Sequence, residues 1–414
     1  MESITPVTST ITDARSRPRH YLLILAALIL FAVAAAYQFV GFRSLLFGVG
    51  SSVPVDIRLR WIESRLLVEG KDSHSWGHPD PELPPALRWQ RTLGGGYPPW
   101  ATAIGLVAAP PVSWSLARTW FAILNIGALA VICAWGYSIG IKYSRPFGLF
   151  LVAASLACAP VAICVSYGQY PLLIAAGLVI AGEALERNRK LAGGLALGFA
   201  LVKPQLAAMA VMAALIRRQY AAFAIACGVV LTGCGVMWAL TGIDPITALQ
   251  DSQKDAKIFS FLSVNPLTAW LLPMLGFERT TALLGLSFLA VGCVAAWSAP
   301  RNVRMTSLFG IAVIISMFWS YRRGYDCALL VIPMVLMFEA AARQGNAAIW
   351  IMAFAFGISL WVPVRNEQWT WTSVQVAHLA VWLPAAITLY LSQSREESYS
   401  TDYSAERMRM EALA

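Results

Sequence analysis

The sequence predicts an all-α, polytopic membrane protein, and three observations carry that reading. Of its 414 residues, 58% are hydrophobic and 13% charged, whereas a soluble domain carries about a quarter charged residues. Its apolar residues gather into runs near the ~20 residues a helix needs to cross a bilayer. Its sixteen tryptophans suit the interfacial belts of a membrane protein. Together these predict about 10–13 transmembrane or re-entrant helices. They form one membrane-embedded domain over 21–393, between cytoplasmic tails at 1–20 and 394–414, with outer loops at 42–96 and 243–277.

The net charge of +9 does not call for nucleic acid, because Lys and Arg on cytoplasmic loops give the same excess. The seven cysteines at 133, 158, 164, 227, 234, 293 and 327 form no CxxC pair. They read as small buried hydrophobes rather than a disulfide or zinc framework.

In chain order, Arg15, Arg17 and Arg19 precede an apolar run from Tyr21 to Gly41 that has no clear small-residue cleavage site. It is expected to be a retained first span. Next, Val55, Leu59, Ile62 and Leu66 recur at helical spacing. That pattern predicts an amphipathic helix lying in the interface plane. Asp56 falls in its first turn, where the helix dipole favours a carboxylate. It is either a helix cap or a base held over the bilayer.

Tyr97 to Pro111 is apolar but too short to span. Longer runs follow: Trp114–Gly140, Pro146–Gly168, Pro171–Ala184, Leu191–Ile216, Tyr220–Leu240, Thr281–Ala299, Thr306–Ser320, Ala328–Ala342, Ala347–Val362 and Val374–Gln393. Bare basic clusters connect them: Lys142/Arg145, Arg187/Arg189/Lys190, Arg217/Arg218, Arg301/Arg304, Arg343 and Arg395. The positive-inside rule wants all of these cytoplasmic. That holds if Tyr97–Pro111 enters and leaves on the outer side, and if Leu191–Ile216 turns back near Lys203-Pro204, where proline breaks a helix. The alternative is one long span with Arg217/Arg218 outside. The turn puts Asp56, Tyr97, Gln169, Lys203 and the Tyr321–Asp326 segment on the outer side.

Those residues are the candidate chemistry. Gln169 brings two donors and an acceptor, suited to a hydroxyl-rich ligand or to a loop. Lys203, between apolar neighbours and Pro204, is expensive in a bilayer, and such residues usually serve function. It is a phosphate ligand or a snorkelling side chain. Arg322 and Arg323 want an anion, either a lipid phosphate or Asp326. His74, His78, Asp80 and Glu82 are metal-ligand types in a Ser/Gly/Pro-rich loop. They keep a divalent metal conceivable without indicating one, so no cofactor is expected. The chain contains no P-loop, no Rossmann glycine motif and no serine nucleophile elbow.

The ordered series Asp56, Tyr97-Pro98-Pro99, Gly168-Gln169, Gly193/Gly194/Gly198 and Lys203-Pro204 resembles glycosyltransferase family 87. These are polyprenol-phosphate-mannose-dependent mannosyltransferases of the GT-C superfamily. The resemblance is carried by Tyr21 to Tyr220. It implies a multi-span helical fold with a juxtamembrane helix after the first span. It also implies inverting transfer of a sugar, mannose in the family, from a polyprenyl-phosphate donor to a lipid or glycan acceptor. The reaction would run on the outer face of a bacterial inner (plasma) membrane, among membrane lipids. The base role carries over to Asp56, and the cavity positions to Gln169 and Lys203, with Tyr97 a further substrate-binding candidate. Arg322 and Arg323 are the further phosphate candidates. The competing reading is a transporter or lipid flippase with Lys203 in the substrate path.

Overall fold

The computed structural model describes residues 17–48, 55–71, 97–260, 271, 274–319, 323–361 and 377–393. These residues are 86% helical and include no strand. The helices are α1 (Arg17–Phe47), α2 (Val55–Val68), α3 (Pro99–Ala108), α4 (Trp114–Gly140), α5 (Arg145–Ala157), α6 (Ala159–Tyr167), α7 (Pro171–Glu186) and α8 (Lys190–Ala200). They continue with α9 (Pro204–Ile216), α10 (Tyr220–Thr241), α11 (Pro245–Ser260), α12 (Phe277–Ser298) and α13 (Met305–Trp319). A 3₁₀ turn, Gly324–Leu330, leads into α14 (Val331–Gln344). The helices α15 (Ala347–Ser359) and α16 (377–393) follow.

Four helical stretches among the described residues are long and apolar enough to cross a membrane: Tyr21–Phe47, Trp114–Gly140, Tyr220–Thr241 and Gly324–Gln344. A fifth is the pair α5–α6, bent by 45°. The bend falls at Cys158, just before Pro160, whose missing N–H breaks the helical ladder. Gly324–Gln344 is the inner pillar of the bundle, 94% buried over its apolar window. By contrast, α1 exposes Leu22, Leu25, Leu28 and Ile29, the side chains of a lipid-facing helix.

Two boundaries differ from the sequence reading. The first span does not end at Gly41 but runs to Phe47. Gly41 is a packing glycine rather than a stop. A Cβ there would meet the Ala162 carbonyl oxygen at 2.9 Å, so only glycine lets α1 approach α6 this closely. The stretch 243–277 also holds a helix, α11. Asp244 caps it, its Oδ1 accepting from the backbone N–H of Ile246 and Thr247 at 3.0 Å each.

The basic connections share one end of the bundle. Glu186, ending α7, accepts a hydrogen bond from the Met305 backbone. Arg217, just past α9, donates to the carbonyls of Ala299 and Arg301. Arg304 pairs with Glu339, and Arg343 donates to the Ser392 carbonyl. Because α8 starts and α9 ends at this cluster, the chain goes in and returns at 201–203, as the proline at 204 predicts. The short helix α3 also returns. Tyr97 before it lies beside Arg60 of α2, and Val112 after it accepts a hydrogen bond from Trp61 Nε1 of α2.

Candidate active site

The polar residues collect at the end opposite the basic connections. Each is set there by a local feature. Asp56 sits inside the first turn of α2, whose helix already begins at Val55. Among the described residues, no hydrogen bond or ion pair holds its carboxylate. The next residue, Ile57, is fully buried and packs against Gly168. A Cβ on Gly168 would lie 2.4 Å from Ile57 Cγ2, and the residue holds φ +69°. Glycine is therefore required twice, by conformation and by contact. The same glycine ends α6 and turns Gln169 towards Tyr97, whose hydroxyl donates to Gln169 Oε1 at 3.1 Å. Gly168→Ala is accordingly expected to push α2 off the turn. Transfer should fall, with a lower unfolding temperature, and an unchanged Ile57 environment by crosslinking would contradict this contact.

Lys203 lies in the non-helical break between α8 and α9. The break frees the Leu201 carbonyl, and Trp100 Nε1 of α3 donates to it at 2.7 Å. Within a membrane such a carbonyl needs an internal partner. The Lys203 ammonium is 3.0 Å from Asp326 Oδ1, with side-chain exposures of 6% and 2%. It also stands 4.8 Å from the Tyr325 ring centroid and 5.6 Å from that of Tyr97. Asp326 heads the buried pillar, and its other oxygen accepts the Arg323 backbone N–H at 2.8 Å. The expected phosphate ligand thus already has a carboxylate partner in Asp326. Arg323 is partly exposed beside this pair. Arg322, and with it His74, His78, Asp80 and Glu82, lies outside the described residues.

The structure adds residues that the sequence reading passed over. Arg60, one turn after Asp56 on α2, is buried, pairs with Glu63, and stacks 4.2 Å from the Tyr97 ring centroid. Burial alone would lower its pKa, but Glu63, Tyr97, Tyr170 and Asp56 hold it above the ordinary arginine value. Burial pushes the Tyr97 phenol well above the usual tyrosine range. Arg60 opposes that, while Asp56, Asp326 and Glu63 add to it. Tyr97 therefore stays a neutral hydrogen-bond donor, within electrostatic reach of both Asp56 and Asp326. The Arg60/Glu63 spacing of three was a readable signal for an on-helix pair. Nothing in sequence joins Lys203 to Asp326.

This architecture defines a polytopic membrane protein with its candidate site residues gathered at one end of an apolar bundle, opposite the basic connections. A family model, Glycosyltransferase family 87, matches residues 96–320. The chain belongs to glycosyltransferase family 87 and is a membrane glycosyltransferase. The match takes in Tyr97, Gln169 and Lys203 and begins after α2, so Asp56 stands outside it. No curated protein and no solved structure matches the chain.

Proposed function

We propose that this glycosyltransferase takes its sugar from a polyprenyl phosphate, with mannose the first sugar to test. It passes the sugar to a lipid or glycan acceptor on the outer face of the plasma membrane, with inversion. The observation that carries the reading is a carboxylate, Asp56, with no partner among the described residues, set one helical turn from Arg60 and beside the Tyr97–Gln169 pair. The acceptor hydroxyl attacks the anomeric carbon, and the bond from that carbon to the phosphate oxygen breaks. The phosphate leaves on its lipid while the acceptor proton passes to Asp56. One base and one displacement need no covalent intermediate, as in inverting sugar chemistry generally. Lys203 and Arg323, with Arg322, supply positive charge where the phosphate develops its own. Gln169 and Tyr97 offer hydroxyl-reading donors and acceptors. This scheme needs no metal.

Purified protein given radiolabelled polyprenyl-phospho-mannose and a lipid extract is expected to yield a labelled product. Label transferred from a nucleotide sugar, and not from the lipid phosphate, would overturn the donor assignment.

The outer-face reading is supported by the basic end lying opposite the site. In a variant lacking the native cysteines, single cysteines at positions 75 and 255 are expected to react with an impermeant thiol reagent in intact cells, and one at 188 to stay protected. Labelling at 188 would reverse the orientation.

A further inference from the structure

Two buried hydroxyls that the proposed chemistry does not use have no partner among the described residues: Ser64 Oγ on α2 and Tyr170 OH at the head of α7. Ser64 is 0% exposed and Tyr170 1%. Both point at Gly105 of α3. A methyl group built on Gly105 would lie 3.4 Å from Ser64 Oγ and 3.8 Å from Tyr170 OH, with no other neighbour beyond its own stretch of helix within 4 Å. The missing side chain therefore leaves a gap bordered by two oxygens that do not bond each other. Buried polar groups are almost always satisfied, by protein or by ordered water. A buried water needs roughly two to four polar partners and room to sit. Ser64 Oγ and Tyr170 OH are two such partners, a side chain's worth of space is left by Gly105, and the buried Arg60–Glu63 pair on the adjoining turn of α2 makes the surroundings polar.

We propose that a single water molecule occupies the gap beside Gly105 and bridges Ser64 Oγ to Tyr170 OH. The bridge ties α2 to the turn Gly168–Tyr170. Because α2 carries Asp56 and the turn carries Gln169, it fixes the depth at which those two groups meet a substrate. This water site stands independently of the donor and acceptor proposed above.

The test turns on the sign of a stability change. With the water present, Ser64→Ala and Tyr170→Phe each remove one end of a satisfied bridge and lower the unfolding temperature by a few degrees. The double variant loses no more than the worse single one, since both lose the same water. A vacant gap predicts the reverse, because each substitution then deletes an orphan hydroxyl and raises the temperature. Gly105→Ala fills the gap. It is expected to destabilise the wild type and to leave the Ser64→Ala/Tyr170→Phe background unaffected. An experimental structure that resolves waters should show one between the two oxygens. An empty gap, a rise or no change in either single variant, or equal loss from Gly105→Ala in both backgrounds would overturn the proposal.

Discussion

Asp56→Asn is expected to lower transfer by about 10²–10⁴-fold, the span general-base assistance supplies, while expression and detergent stability stay near wild type. Asparagine keeps the shape of aspartate but cannot take the acceptor's proton. Asp56→Glu should recover little, since the longer side chain displaces the oxygen by roughly a bond length and catalytic geometry tolerates little movement. A capping role predicts otherwise, because asparagine substitutes well at a helix start. The helix begins at Val55, so Asp56 lies two positions past the place where a cap acts. Near-normal transfer by the asparagine variant would remove Asp56 from the mechanism.

Lys203 calls for a paired design. Lys203→Ala alone strands Asp326, whose side chain is 2% exposed, and breaking a buried pair from one side costs about 3–5 kcal/mol. Loss of activity in that variant therefore mixes folding with binding. Lys203→Met combined with Asp326→Leu removes both charges, and such apolar replacements of a buried pair are often neutral or stabilising. The double variant is expected to melt near wild type and yet to use the donor poorly. Losing the charged partner of a buried anion is worth about 2–5 kcal/mol, so the apparent donor constant should rise roughly thirtyfold or more. If the double variant regains both stability and donor affinity, Lys203 is a structural brace for the break at 201–203.

Particular residues show what was legible in sequence. Val55, Leu59, Ile62 and Leu66 announced α2, because a 3.6-residue period needs only local spacing. Pro204 announced the re-entrant turn, because a missing N–H acts on its own helix wherever the chain goes. The basic clusters announced that 187–190, 217–218 and 301–304 belong together, because membrane insertion sorts charge before packing begins.

Gly41 and Gly168 mark where that reading stopped. Each is a glycine followed by a change in pattern. Yet one lies inside a helix against Ala162, and the other, at φ +69°, ends a helix against Ile57. Sequence holds the glycine but not the neighbour that requires it.

The sequence by itself determined the class, the order of the apolar helices, the re-entrant turn and the family, all of which rest on local composition and order. Only the tertiary structure decided that Lys203 pairs with Asp326, 123 residues away, that Arg60 stacks on Tyr97, and that Ser64 and Tyr170 meet at Gly105. The reason is physical. A buried charge or hydroxyl is governed by whichever partner the packed helices bring within about 3 Å, and that distance is set by the whole bundle at once.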